Sequence, residues 1–250
     1  MQRVVVVGAG LAGHRAVAAL HERGFTGEIV VVGDEVHRPY DRPPLSKQLL
    51  AGTFTVDECM FAPAPDGPVW RLGAAAVGLD TAARRVTLDD GGSLDYDGVV
   101  IATGRRARPW SSAETRAGIH TLRTLGDTAA FRAAAVPGAR VVIVGAGFIG
   151  CEVAATLRSG GVEDVTLVDV ARYPMPALGT EIGARAALLH AAHGVQLRLG
   201  GGVHSLDGAE RIESVTLLDG EVLPADVVLV ATGSLPNSEW LAGAGLRMAA

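Results

Sequence analysis

Two hexapeptides carry the clearest chemistry in this sequence: Gly8-Ala9-Gly10-Leu11-Ala12-Gly13 and, far along the chain, Gly145-Ala146-Gly147-Phe148-Ile149-Gly150. In a G-x-G-x-x-G turn the first glycine makes the sharp bend and the second lets the backbone approach a diphosphate. The third lets helix and strand pack closely, and the helix N-terminus behind the turn then faces the anion. A single such match is weak evidence. Here both copies are followed, about twenty residues on, by the acid that dinucleotide binding calls for. In the second copy it is Asp169, placed to accept hydrogen bonds from an adenosine ribose and to repel a 2′-phosphate, which favours NAD over NADP, with Arg172 nearby to soften that preference. In the first copy Asp34 and Glu35 fill the corresponding place.

Each turn needs a strand before it and a helix after it, and the sequence supplies both twice. The β-branched runs at 4–7 and 141–144 read as buried strands, Ala-rich stretches of high helix propensity follow the glycines, and further apolar runs lie at 29–32 and 165–168. The repeat extends beyond the glycines. Strand patterns at 84–88 and 99–101, with the turn Asp89-Asp90-Gly91-Gly92 between them, end in Ala102-Thr103-Gly104. Patterns at 215–218 and 227–230, with Asp219-Gly220, end in Ala231-Thr232-Gly233. The layout predicts an α/β protein with two Rossmann-like dinucleotide-binding domains of the three-layer ββα type. The first spans 1–108 and the second 109–230, and 231–250 turns back toward the first.

The remaining composition narrows the field. At 250 residues with 48% hydrophobic content the chain can bury a substantial core, and a net charge of −5 offers no footprint for nucleic acid and no polybasic run for a membrane surface. Glycine, arginine or aspartate interrupts every apolar run before it could span a bilayer. Cys59 and Cys151 form no CxxC pair, so they read as small buried residues in a reducing, cytoplasmic setting. No metal site is expected: His190 and His193 lack carboxylate or thiol companions and read as a solvated helix end.

The segment Arg38-Pro39-Tyr40-Asp41-Arg42-Pro43-Pro44-Leu45-Ser46-Lys47 is a proline-stiffened loop carrying cations in a mildly acidic chain. Joined to Val32-Gly33-Asp34-Glu35, it resembles the oxygenase-coupled, FAD-dependent ferredoxin reductases of the pyridine nucleotide-disulfide oxidoreductase superfamily. Further matches span essentially the whole chain: Ala102-Thr103-Gly104-Arg105, Leu122-Arg123-Thr124-Leu125 with Asp127, the run 145–152, and Ala231-Thr232-Gly233 followed by Pro236-Asn237.

The resemblance implies FAD in the first domain and NAD(H) in the second. Gly8, Gly10, Ala12 and Gly13 would hold the FAD pyrophosphate, Asp34 with Glu35 beside it the adenosine ribose, and Arg42 and Lys47 the flavin side. Val77 would lie near the adenine, Thr103 and Gly104 would line the cofactor, and Arg123 would reach it from the linker. On the NAD side Gly145, Gly147, Phe148, Ile149 and Gly150 would form the phosphate turn, Asp169 the ribose anchor and Gly233 the return loop. Lys47 and Glu152 would stand closest to the chemistry, the cation beside flavin N5 and the carboxylate balancing it and approaching the nicotinamide. Read without the resemblance, Glu152 is a first-turn acid complementing a helix dipole.

The implied activity is hydride transfer from NADH to flavin N5 and delivery of electrons to a small iron-sulfur protein; as such carriers are usually acidic, Arg105, Arg106 and Arg108 are a secondary candidate for a docking patch. Related families place a cysteine beside the flavin. This loop has none, which argues against disulfide chemistry. The sequence departs from the family by stopping at Ala250, before a Gly-Asp segment and a C-terminal domain. A fragment, or one chain of a split reductase completed by a second chain, is therefore expected. The rivals are a non-catalytic FAD/NAD-binding module and the flavin portion of a nitrite reductase or NADH oxidase.

Overall fold

The structure, a computed structural model, describes residues 2–62, 67–111 and 116–247. They gather into two compact units, one made of Met1–Asp41, Cys59–Arg106 and Pro236–Ala250, the other of Arg42–Glu58 and Ala107–Leu235. The loop segment Arg42–Glu58 is thus counted with the second unit although it lies early in the sequence.

In chain order the elements begin β1 (Arg3–Val7), α1 (Leu11–Glu22) and β2 (Glu28–Gly33), then a 3₁₀ turn Pro43–Ser46 and the single-turn helices α2 (Gln48–Ala51) and α3 (Val56–Cys59). Strands β3 (Val69–Leu72), β4 (Ala76–Asp80), β5 (Arg85–Leu88), β6 (Ser93–Asp95), β7 (Gly98–Ile101), β8 (Arg105–Ala107) and β9 (Ile119–His120) follow. The chain continues through α4 (Leu125–Ala134), β10 (Arg140–Val144), α5 (Phe148–Ser159), β11 (Asp164–Asp169), a turn Pro176–Leu178, α6 (Thr180–Ala192) and β12 (Gln196–Leu199). It closes with β13 (Val203–Asp207), β14 (Ser214–Leu217), β15 (Val222–Pro224), β16 (Val227–Val230), β17 (Ser234–Pro236) and a turn Glu239–Leu241.

In the first unit a parallel sheet runs β3-β2-β1-β7, with Val4 opposite Ile29 on one side and Gly98 on the other. Because strand side chains alternate, a sheet covered on both faces must be apolar at every position. Val4, Val6, Ile29 and Val31 pack on the α1 face with Val17, Ala16 and Leu20. Val5, Val7, Val30 and Val32 pack on the other face against Leu79, Val86 and Leu88 of the antiparallel sheet β4-β5-β6. Helix, parallel sheet and antiparallel sheet form the three layers.

The second unit repeats the scheme. Its parallel sheet runs β12-β11-β10-β16-β9. Val141, Ile143, Val165, Leu167, Val227 and Leu229 face Phe131 of α4 and Val153, Ala154 and Leu157 of α5. Val142, Val144, Val168, Val228 and Val230 face Val215 and Leu217 of β14 and Leu223 of β15. Each wholly buried valine or isoleucine contributes roughly 1.5–3 kcal/mol, so the unbroken β-branched runs are what hold both sheets at the centre of their layers. His190, expected at a solvated helix end, is instead buried, and that burial holds its imidazole below its ordinary pKa. Cys59 and Cys151 are both free and buried. Among the described residues no helix is long and apolar enough to cross a membrane. Residues 248–250, at the end of the expected return segment, lie outside the described residues.

Candidate functional site

The two glycine turns are built alike. Gly8 and Gly145 have φ of +121° and +111°, a region open to glycine at little cost. A β-carbon on Gly8 would stand 2.1 Å from the Ala102 carbonyl oxygen, and one on Gly145 2.5 Å from that of Ala231. The third glycines face inward on their own turn: a β-carbon on Gly13 or Gly150 would lie 1.9 Å from the carbonyl oxygen of Gly8 or Gly145. The middle glycines, Gly10 and Gly147, have nothing within 4 Å of that position.

Gly10 and Gly147 are also the N-caps of α1 and α5, and neither helix has a side-chain cap or an acid in its first turn. By contrast α4 is closed by a capping box, in which the Asp127 N–H donates to Thr124 Oγ1 at 3.1 Å and the Asp127 carboxylate accepts from the Thr124 N–H at 3.1 Å. Uncapped amides behind an open glycine suit an anion such as a diphosphate. Ala12 lies in the first turn of α1, and Phe148 and Ile149 occupy the corresponding turn of α5, half-exposed.

Within the first unit a cleft of about 440 Å³ brings together Gly8, Asp34, Val77 and Thr103. Ala74, Ala75 and Ala76 form one side, and Asn237, Glu239 and Trp240 return from the far end of the chain to form another. Trp240 carries a buried Nε1–H that has no partner among the described residues. Asn237 is tied to the β7 end at three points: Thr103 Oγ1 donates to its carbonyl at 2.6 Å, its Nδ2 donates to the Thr103 carbonyl at 2.9 Å, and its N–H donates to the Gly104 carbonyl at 3.0 Å. Glu35 does not line this cleft, and its carboxylate accepts from the Tyr40 hydroxyl at 2.5 Å.

In the second unit Asp169 closes β11. Its two oxygens accept N–H groups from Ala146, in the glycine turn, at 2.6 Å and from Ala171 at 2.8 Å. The carboxylate thus fixes the turn while staying beside it. Arg42 donates to the Arg123 main-chain carbonyl at 2.5 Å, so these two residues meet through the Arg123 backbone. The Lys47 ammonium donates to Glu152 Oε2 at 2.8 Å, with both side chains about one-third exposed (38% and 34%). Glu152 is the fifth residue of α5, and its carboxylate is engaged by Ser46 and Lys47 rather than by the helix terminus. Gly233 has φ of +108° with open space around it, as Gly104 does at +65°.

Sequence reasoning missed Asn237, Glu239 and Trp240 as cleft residues. The only available signal was the Pro236-Asn237 pair. Arg106 is committed within the unit, to the Glu239 carboxylate at 2.6 Å and to Asn237 Oδ1 at 3.1 Å, and that pairing holds the Glu239 carboxyl down to about 2.

Comparison with known proteins gives a consistent result. The chain is 38% identical over 251 residues to rhodocoxin reductase of Rhodococcus erythropolis, covering 97% of this chain and 58% of that protein. It is 38% identical over 252 residues to the biphenyl dioxygenase system ferredoxin–NAD(+) reductase component of Paraburkholderia xenovorans, covering 98% and 61%. Among solved structures it superposes on the reductase of the covalent putidaredoxin reductase–putidaredoxin complex with a TM-score of 0.93 at 34% identity, covering 99% of this chain and 62% of the other. The chain therefore spans about three-fifths of the length of these relatives. The sequence pattern of the pyridine nucleotide-disulphide oxidoreductase family matches residues 2–250, and the chain belongs to that family.

Proposed function

We propose that the chain forms the FAD- and NAD(H)-binding part of a cytoplasmic reductase that passes electrons from NADH to a small iron-sulfur protein. The observation that carries this reading is the doubling of one device: two uncapped helix N-termini, each behind a glycine with open space at its β-carbon position. The resemblance to ferredoxin reductases supports the assignment of one nucleotide to each.

A bound flavin would supply a two-electron acceptor able to release electrons singly. The residues of this chain bind and orient around it. The turn from Gly8 to Gly13 with Ala12 would hold its diphosphate, Asp34 its adenosine ribose, and Val77 and Thr103 the walls of the cleft, with Gly104 next in the chain. Arg42, Lys47 and Arg123 would supply the cationic side of the flavin. Gly145, Gly147, Phe148, Ile149 and Gly150 would hold the dinucleotide of NADH, with Asp169 and Gly233 beside them. Lys47 would place positive charge near flavin N5, and Glu152 would balance that charge. Two free, buried cysteines fit a reducing compartment and leave the thiol chemistry of related families without a redox pair.

The test is an absorption spectrum of the purified chain with added FAD, followed by anaerobic NADH. A bound flavin spectrum that bleaches supports the reading. A chain that takes up no flavin and binds NAD alone overturns it in favour of a nucleotide-binding module. A chain that bleaches but reduces nitrite or oxygen in preference to ferredoxin moves it to the other reductases.

A further inference from the structure

Lys47 and Glu152 are joined by a third group that no resemblance singled out. Ser46 is 2% exposed, and its hydroxyl donates to Glu152 Oε2 at 2.5 Å, much closer than its alternative acceptor, the Pro43 carbonyl at 3.4 Å. The Lys47 ammonium reaches the same Oε2 at 2.8 Å and the Ser46 oxygen at 3.4 Å. One carboxylate oxygen thus takes both donors, and Oε1 has no partner among the described residues.

The local backbone explains the convergence. Pro43 and Pro44 preset the 3₁₀ turn, and the chain then bends at Lys47 (φ −124°, ψ −101°), which lets consecutive side chains meet at one carboxylate. The turn is tied to α5. Thr156, one helical turn beyond Glu152, has its hydroxyl 2.8 Å from the Ser46 carbonyl and 2.9 Å from the Glu152 carbonyl, while the Thr128 hydroxyl of α4 lies nearer its own helix's Thr124 carbonyl, at 3.1 Å, than the Leu45 carbonyl, at 3.4 Å.

A lysine alone would hold this carboxylate poorly. An ammonium on a flexible stem is a point charge that tolerates many carboxylate orientations, and the terminal torsion of glutamate is broad. A buried hydroxyl on a proline-stiffened turn tied to α5 is directional. We infer that Ser46 is the positioning residue of Glu152, fixing which carboxylate oxygen is spent on Lys47 and which stays open for a donor on the incoming nucleotide. This rests on the proposed reductase reading for its consequence, but not for its geometry.

The experiment has two arms. In the cofactor-free chain, carbon-13 NMR of labelled glutamate side chains, with the Glu152 carboxyl assigned by its absence in Glu152→Gln, is expected to show that one resonance displaced in Ser46→Ala and Ser46→Cys. The cysteine keeps the volume and loses the strong donor, so it also guards against a packing artefact. An unmoved resonance in both overturns the inference. In the FAD- and NADH-loaded protein, both variants are expected to slow flavin reduction about tenfold, with the NADH dissociation constant within about twofold of the parent. In a Glu152→Gln background the same substitutions are expected to add nothing. An equal slowing in that background would mean that Ser46 does not act through Glu152, which also overturns the inference. If the parent chain takes up no flavin, the reductase reading fails while the NMR arm still decides the contact.

Discussion

At the end of β2 the first unit has Gly33, and at the same register the second has Asp169: Gly8 donates to the Val32 carbonyl as Gly145 donates to that of Val168, both at 2.8 Å. A β-carbon on Gly33 would lie 2.5 Å from that of Ala9, so the first turn sits too close to its strand for any side chain there. Its acid is displaced to Asp34, on the cleft wall. The second turn leaves room, and Asp169 fills it by binding the Ala146 amide. At the opposite ends of these strands the units agree. Asp97 and Asp226 each precede the strand that follows the antiparallel layer, and each accepts the N–H of the arginine that opens the first strand, Arg3 at 2.9 Å and Arg140 at 3.0 Å. One scaffold has been kept where the first strand meets the last and changed at the glycine turn.

The sharpest attempt to break this equivalence is at the third glycines. Gly13→Ala and Gly150→Ala each drive a methyl into a carbonyl of the same turn and should each cost about 3 kcal/mol or more in denaturant unfolding. A difference above about 1 kcal/mol between them would show that the two turns are not the same structure. Next, Asp169→Gly strips two amides of their acceptor and should cost about 2 kcal/mol, with nothing comparable available at Gly33 in the other unit.

Asp226→Asn comes third, at about 1 kcal/mol at neutral pH, the worth of a solvent-facing pair. Two hydrogen bonds from the Arg140 guanidinium hold the Asp226 carboxyl at about 2 against an ordinary 3.8. The contribution is therefore complete above pH 3.8 and is lost as pH falls through about 2, so parent and variant curves should converge there. The smallest effect on stability, within about 0.5 kcal/mol, is expected for Gly10→Ala and Gly147→Ala. Yet the first should lower FAD retention and the second NADH affinity, each sparing the other nucleotide, as equilibrium binding would report.

The strands, both glycine turns and the repeat were legible because each rests on local rules: β-branched runs for sheets buried on two faces, and fixed glycine spacing for the turn. The one-residue shift of the first acid was not legible, since it follows from the approach of Ala9 to Gly33 and not from spacing. Nor was the excursion of Arg42–Glu58, whose prolines announce a stiff loop but not its neighbours. Ser46 was visible only as the residue before Lys47. Asn237 and Trp240 reach the cleft from the far end of the chain, a distance over which no periodicity carries information.

Neither unit is a continuous stretch of chain, and this has a consequence during synthesis. The first unit's core includes Leu241 and Ala244, and its β7 end is tied to Asn237, so a nascent chain emerging from the ribosome cannot finish that unit until the whole intervening stretch of the second has been translated. The second must meanwhile recruit Leu50, made long before its own sheet. Such long-range closures slow folding and leave apolar faces waiting for partners, so a chaperone that shelters β1, β2 and β7 until the segment from Asn237 to Ala244 emerges should raise the yield of folded protein.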